Sequence, residues 1–96
     1  MSCRKKAAEY YLGEFENFHV NLPWDCFVYI LTKLLGLEMK EKPGSVRAFT
    51  NGQITFTAHK PHNKGDRYVH REDRRRAIVA LKSIGLLNGG QDEKRS

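Results

Sequence analysis

Cysteine, tryptophan and proline are scarce in this chain: two, one and three residues of 96. Two cysteines, Cys3 and Cys26, exclude the multi-bridge framework of a small secreted domain. Cys26 falls within an expected helix and Cys3 in a loose terminus, so both are expected as reduced thiols of a cytoplasmic protein. Long apolar runs are also missing. The longest, Cys26–Leu31, stops at Thr32 and Lys33, far short of the ~20 residues that a membrane span needs. Behind the basic N-terminus, Glu9, Glu14 and Glu16 interrupt any apolar stretch, so no secretory signal is expected. There are no repeats, no low-complexity tract and no glycine-rich phosphate loop. His59 and His62 have no cysteine or carboxylate spaced to complete a zinc site, so no metal and no cofactor are expected.

What is present is the composition of one folded domain: 40% hydrophobic, 29% charged and 10% aromatic residues. A core of this size holds about two helices against a small sheet. It leaves little apolar surface for a deep cavity, which favours large or polymeric ligands on an open surface. The net charge of +6 is unevenly placed. Residues 1–43 carry six basic and six acidic side chains, and residues 86–96 carry two of each. The whole excess lies in residues 44–85, where nine basic side chains meet three acidic ones. A segregated basic segment is the electrostatic footprint of a polyanion partner. A solvated charged helix without any partner would give the same count.

Hydrophobic periodicity orders the chain. Residues 7–18 place aromatic and aliphatic side chains at 11, 12, 15 and 18, helical spacing weakened by Gly13. Residues 1–20 therefore read as an extension, either a short helix on the core or a partly ordered arm. Pro23–Gly36 is the clearest helix, with Trp24, Phe27, Leu31, Leu34 and Leu35 on one stripe. Leu37–Glu41 suggests a short strand. Val46–Thr50 and Gln53–Ala58 flank Asn51-Gly52, the signature of a two-residue hairpin turn. That turn pairs Thr50 with Gln53 and Val46 with Thr57. It places Phe49, Ile54, Phe56 and Ala58 on a buried face, and Thr50, Gln53, Thr55, Thr57 and His59 on an open one. A loop, His59–Gly65, leads to a last helix ending at Gly85, with Asp66 as a candidate cap and Ala77, Ile78, Leu81 and Ile84 buried. Arg71, Arg75 and Lys82 lie toward its other side. The polar residues 88–96 are expected to be a disordered tail. The expected fold is α+β: a small antiparallel sheet with two helices packed on one face, in the order α-β-β-β-α, over residues 21–87.

Several motifs occur in order. Trp24 opens a helix that ends Leu34-Leu-Gly36. Pro43-Gly-Ser45 leads into a strand, followed by Asn51-Gly52 and then Phe56-Thr-Ala-His-Lys-Pro-His62. The closing helix ends Leu81-Lys-Ser-Ile-Gly85. In this arrangement the segment Pro23–Leu87 resembles the HicA toxin family, small ribonucleases of bacterial toxin–antitoxin pairs, in the branch with a His-x-Pro-His motif. The resemblance implies a fold like the double-stranded-RNA-binding domain, metal-independent endonuclease cleavage of mRNA, and neutralisation by a HicB-like antitoxin. Many members carry a histidine just after the Gly-Ser pair, usually taken as catalytic. Here Gly44-Ser45 is followed by Val46 and Arg47. His62 matches the second family histidine, and His59 is the additional histidine of the His-x-Pro-His branch.

Cleaving RNA without a metal needs a base for the 2′-OH, an acid for the leaving 5′-oxygen and cations for the phosphorane. Histidine suits the first two near neutral pH, and lysine or arginine the third. His59 is the candidate base, at the end of the hairpin's open face and about opposite Gly44. Lys60 and His62 are the candidate charge stabiliser and acid. Arg67, Arg71, Arg74 and Arg75 have the three- and four-residue spacing of one helical stripe, which suits the phosphates of RNA. Arg47, Lys60 and Lys64 extend that RNA-binding set. Glu72 and Asp73 are placed to neutralise part of it. A binding module without catalysis is the competing reading, favoured by the missing histidine after Ser45.

Overall fold

A computed structural model describes residues 3–61 and 67–87. His62, Lys64, the candidate cap Asp66 and the tail 88–96 lie outside the described residues. The elements run α1 (Lys5–Gly13), α2 (Trp24–Tyr29), a π-helical turn (Ile30–Leu34), β1 (Glu38–Glu41), β2 (Val46–Thr50), β3 (Thr55–His59) and α3 (Arg71–Ser83). The three strands form one antiparallel sheet in the order β1-β2-β3. The fold is α+β with the expected α-β-β-β-α order, preceded by α1. No described helix is long and apolar enough to cross a membrane.

One side of the sheet meets the helices. Phe49, Phe56 and Ala58 alternate onto it and are buried. A chain of rings crosses the core from there: Phe56 to Phe49 at 5.6 Å, Phe49 to Phe27 at 5.7 Å, and Phe27 to Phe15 at 6.0 Å. Ile78 and Leu81 of α3 and Ile30 and Leu31 of the π-helical turn complete it. Ala8 and Phe15 are fully buried in the same cluster, so residues before 20 supply core rather than an appendage.

The hairpin differs from expectation in register. Thr50 pairs with Thr55, not Gln53, and Val46 with His59, not Thr57. A type I′ turn requires positive φ at both central residues. Gly52 has φ 92°, but no described non-glycine residue, Asn51 included, is left-handed. Asn51 instead uses its side chain: Oδ1 accepts the N–H groups of Gln53 at 2.9 Å and Ile54 at 3.2 Å. The connection becomes four residues long. Because the shift is by two, each side chain keeps its face.

The helix from Trp24 changes pitch. Leu35 N–H donates to Ile30 O, five residues back, at 2.9 Å. This widened turn buries Ile30 along with Leu31 and leaves Leu34 and Leu35 only half-buried. The last helix starts at Arg71, after an extended segment. Val69 N–H donates to Leu22 O at 2.8 Å, and Trp24 N–H to Arg67 O at 2.7 Å. Arg67 is therefore bridged to the start of α2 rather than carried on the helix.

The cysteines are not free thiols. Cys3 and Cys26 form a disulfide across 23 residues. The docking of α1 on α2 brings their Cα atoms to 4.9 Å, within bridging reach. Sequence spacing alone cannot show that proximity.

Candidate active site

β3 is an edge strand, and edge strands expose unpaired backbone groups. Here α3 runs alongside and satisfies two of them. Asp73 Oδ2 accepts the His59 N–H at 2.9 Å, and Arg76 Nη1 donates to Thr57 O at 3.1 Å. Arg76 Nη1 also donates to Asp73 Oδ1 at 2.7 Å. Asp73 is buried, and a buried carboxylate needs such partners. Its Oδ2 lies 3.4 Å from His59 Nδ1, with the imidazole 54% exposed and the carboxylate side chain 4% exposed. The hydrogen bond to the carboxylate comes from the His59 backbone N–H, and Nδ1 lies within ion-pair distance of the same oxygen. A half-exposed imidazole beside a buried carboxylate is an arrangement open to acid–base work. Asp73 and Arg76 were missed from sequence because their partners are backbone groups of a strand more than ten residues away. The i, i+3 spacing of an acid and an arginine was the only available hint.

His59 and Lys60 do not act at one point. Consecutive residues of extended chain face opposite ways, and Lys60 N–H continues the pairing to Ser45 O at 2.9 Å. Lys60 lines a groove of about 500 Å³ on the helix side, together with Arg47, Trp24, Tyr29 and Met39. Arg47 is on that side too, as the register partner of Ala58. Its Nη1 donates to Val46 O at 3.0 Å. The pairing of His59 with Lys60 as base and charge stabiliser is thus corrected: among the described residues, the cation that shares Asp73 with His59 is Arg76.

The arginine stripe is also corrected. Arg74 is 3% exposed and unavailable to a phosphate. Its guanidinium donates to the carbonyls of Phe15 and Val20 at 2.8 Å, and of Glu14 and Asn17 at 2.8 and 3.1 Å. Burial, and secondarily the Arg71 charge, lower its pKa. Arg71 and Arg75 remain exposed, with guanidinium carbons 5.0 and 5.7 Å from the Phe18 ring centre. Arg67 is exposed on the bridging segment. Asp73 neutralises none of this stripe, because Arg76 and His59 hold it. Among the described residues, no three His, Cys, Asp or Glu side chains gather as a metal site.

Five of the cations therefore fall on three surfaces: Arg76 at the His59–Asp73 corner, Arg47 with Lys60 in the groove, and Arg71 with Arg75 on Phe18. No family model, curated protein or solved structure matches the chain, so these three surfaces carry the functional reading by themselves.

Proposed function

We propose that the chain is a HicA-like ribonuclease toxin that binds mRNA in the cytoplasm, cleaves it by histidine acid–base chemistry without a metal ion, and is neutralised by a HicB-like antitoxin. The observation that carries this reading is the exposed His59 imidazole beside the buried Asp73 carboxylate, which accepts the His59 backbone N–H. His59 Nε2 takes the proton of a ribose 2′-OH. The 2′-oxygen then attacks phosphorus, the bond to the 5′-oxygen breaks, and a 2′,3′-cyclic phosphate remains. Arg76 stands beside the pair to stabilise the charge of the phosphorane. The departing 5′-oxygen takes its proton from His62, the residue that matches the second histidine of the family.

The register adds support. His59 is the direct partner of Val46, the residue that stands where the family carries its histidine after Gly-Ser. The imidazole thus lies one strand across from the usual position. Expression of the chain is expected to arrest growth, and His59→Ala to relieve the arrest while the protein accumulates folded. A His59→Ala protein that stays fully toxic overturns the assignment.

One observation favours the second reading, a non-catalytic RNA-binding module. Arg47, Lys60, Arg71 and Arg75 sit on surfaces away from His59. Salt-sensitive binding that leaves RNA intact would support the module.

A further inference from the structure

Three arginine guanidinium groups surround one aromatic ring. The guanidinium carbons of Arg71, Arg74 and Arg75 lie 5.0, 5.0 and 5.7 Å from the Phe18 centroid. Cation–π attraction holds each one, but like charges this close repel. Arg74 is committed to its four carbonyl partners beneath the ring. Arg71 and Arg75 are exposed, and among the described residues no carboxylate oxygen lies within ion-pair distance of either. Glu72 follows Arg71 in the chain without pairing with it, and Glu16 is held by Lys82 at 2.7 Å.

We propose that Arg71 and Arg75, organised by Phe18, form an anchor for a backbone phosphate of RNA on the far side of α3 from His59. The inference deepens the RNA-binding part of the reading above and rests on it. Residues 71 and 75 are four apart and share a ridge of the helix, whereas Asp73 lies two residues on and faces away by roughly 200°. The strand that reaches His59 must pass around α3 to reach the anchor, so the preferred substrate is a polymer rather than a dinucleotide. Phe18 is a positioning residue. It sits in the turn whose carbonyls wrap Arg74, so the same clamp that buries Arg74 fixes the ring. Stacking on that ring leaves the guanidinium edges free, and a planar fork of N–H donors matches a phosphate. An anion between Arg71 and Arg75 relieves the repulsion that the protein leaves uncompensated. The basic excess of residues 44–85 favours a nucleic acid over an acidic peptide.

The test uses the full chain carrying His59→Ala, so that RNA stays intact, and follows a labelled single-stranded RNA by anisotropy across salt concentrations. Adding Arg71→Gln with Arg75→Gln is expected to weaken binding and to flatten the plot of log affinity against log salt by about 0.7, the value for one phosphate contact on a single strand. Phe18→Leu keeps both charges and is expected to weaken binding without changing the slope, and Phe18→Tyr to restore it. A ring that is merely structural would change thermal stability and leave affinity alone. RNA binding with an unchanged slope in the double variant overturns the anchor and leaves the function standing, as does a polyglutamate peptide that outcompetes RNA. If the parent fails to bind RNA while inorganic phosphate shifts the Arg71 and Arg75 side-chain NMR signals, the phosphate site stands and the RNA reading falls. Neither binding nor shifts overturns both.

Discussion

Arg71 and Arg74 lie three residues apart on one helix and have opposite fates. The periodicity that joins them in sequence is real, since both guanidinium groups reach the Phe18 ring. What sequence cannot supply is the turn of backbone carbonyls from residues 14–20 that swallows one of them. Arg74 is a structural cation: it closes the N-terminal segment onto α3 with four charge-assisted bonds. Its removal orphans several carbonyls at once. Arg74→Ala is therefore expected to cost on the order of 3 kcal/mol or more in urea unfolding. Arg71→Ala, at an exposed position, is expected to stay within about 0.5 kcal/mol. Equal losses for the two would contradict the division between a structural and a ligand-facing arginine. His59 shows the same limit of sequence reading. Its place on the open face is legible from alternation, but the carboxylate beside it comes from a helix 14 residues later.

Among the elements, those defined by short-range pattern were readable and those defined by side-chain intervention were not. Thr-Phe-Thr-Ala-His alternates cleanly and Asn51-Gly52 marks off the strand before it, so both strands and the Phe49–Phe56 face are legible. The register was not, because Asn51 substitutes its own Oδ1 for a backbone turn and lengthens the connection. The π-helical turn after Tyr29 is equally silent, since a widened turn preserves an apolar run while rotating which residues it buries. The α1 helix was visible as spacing, but its role in the core was not. That role rests on Ala8, Phe15, the Arg74 clamp and the Cys3–Cys26 disulfide. Closing a loop of this length contributes about 3 kcal/mol in the chain-entropy account. A reducing agent, or Cys3→Ser, is expected to lower the urea midpoint by a corresponding amount, with the sheet and α3 retained. A midpoint indifferent to reduction would show that the disulfide adds nothing. In a reducing compartment the clamp and core contacts would hold α1 without it.

For the molecule as a whole, the charge count located the basic segment but not its geometry. Nine basic side chains in residues 44–85 read as one surface. Folding sends six of those in the described residues to the corner, the groove, the Phe18 anchor and the buried clamp, and leaves Arg67 on the bridging segment and Lys82 paired with Glu16. The β-strand alternation that parts His59 from Lys60 and the helical turn that parts Asp73 from Arg71 do this work. RNA cleavage by this chain would thus depend on one corner, with binding spread over the others. The most direct test incubates purified full-length protein with single-stranded RNA in excess EDTA and follows the products. Cleavage to 2′,3′-cyclic phosphate ends by the wild type, abolished in a folded His59→Ala protein, is the predicted result. Intact RNA with the wild type, or undiminished cleavage by His59→Ala, would contradict it.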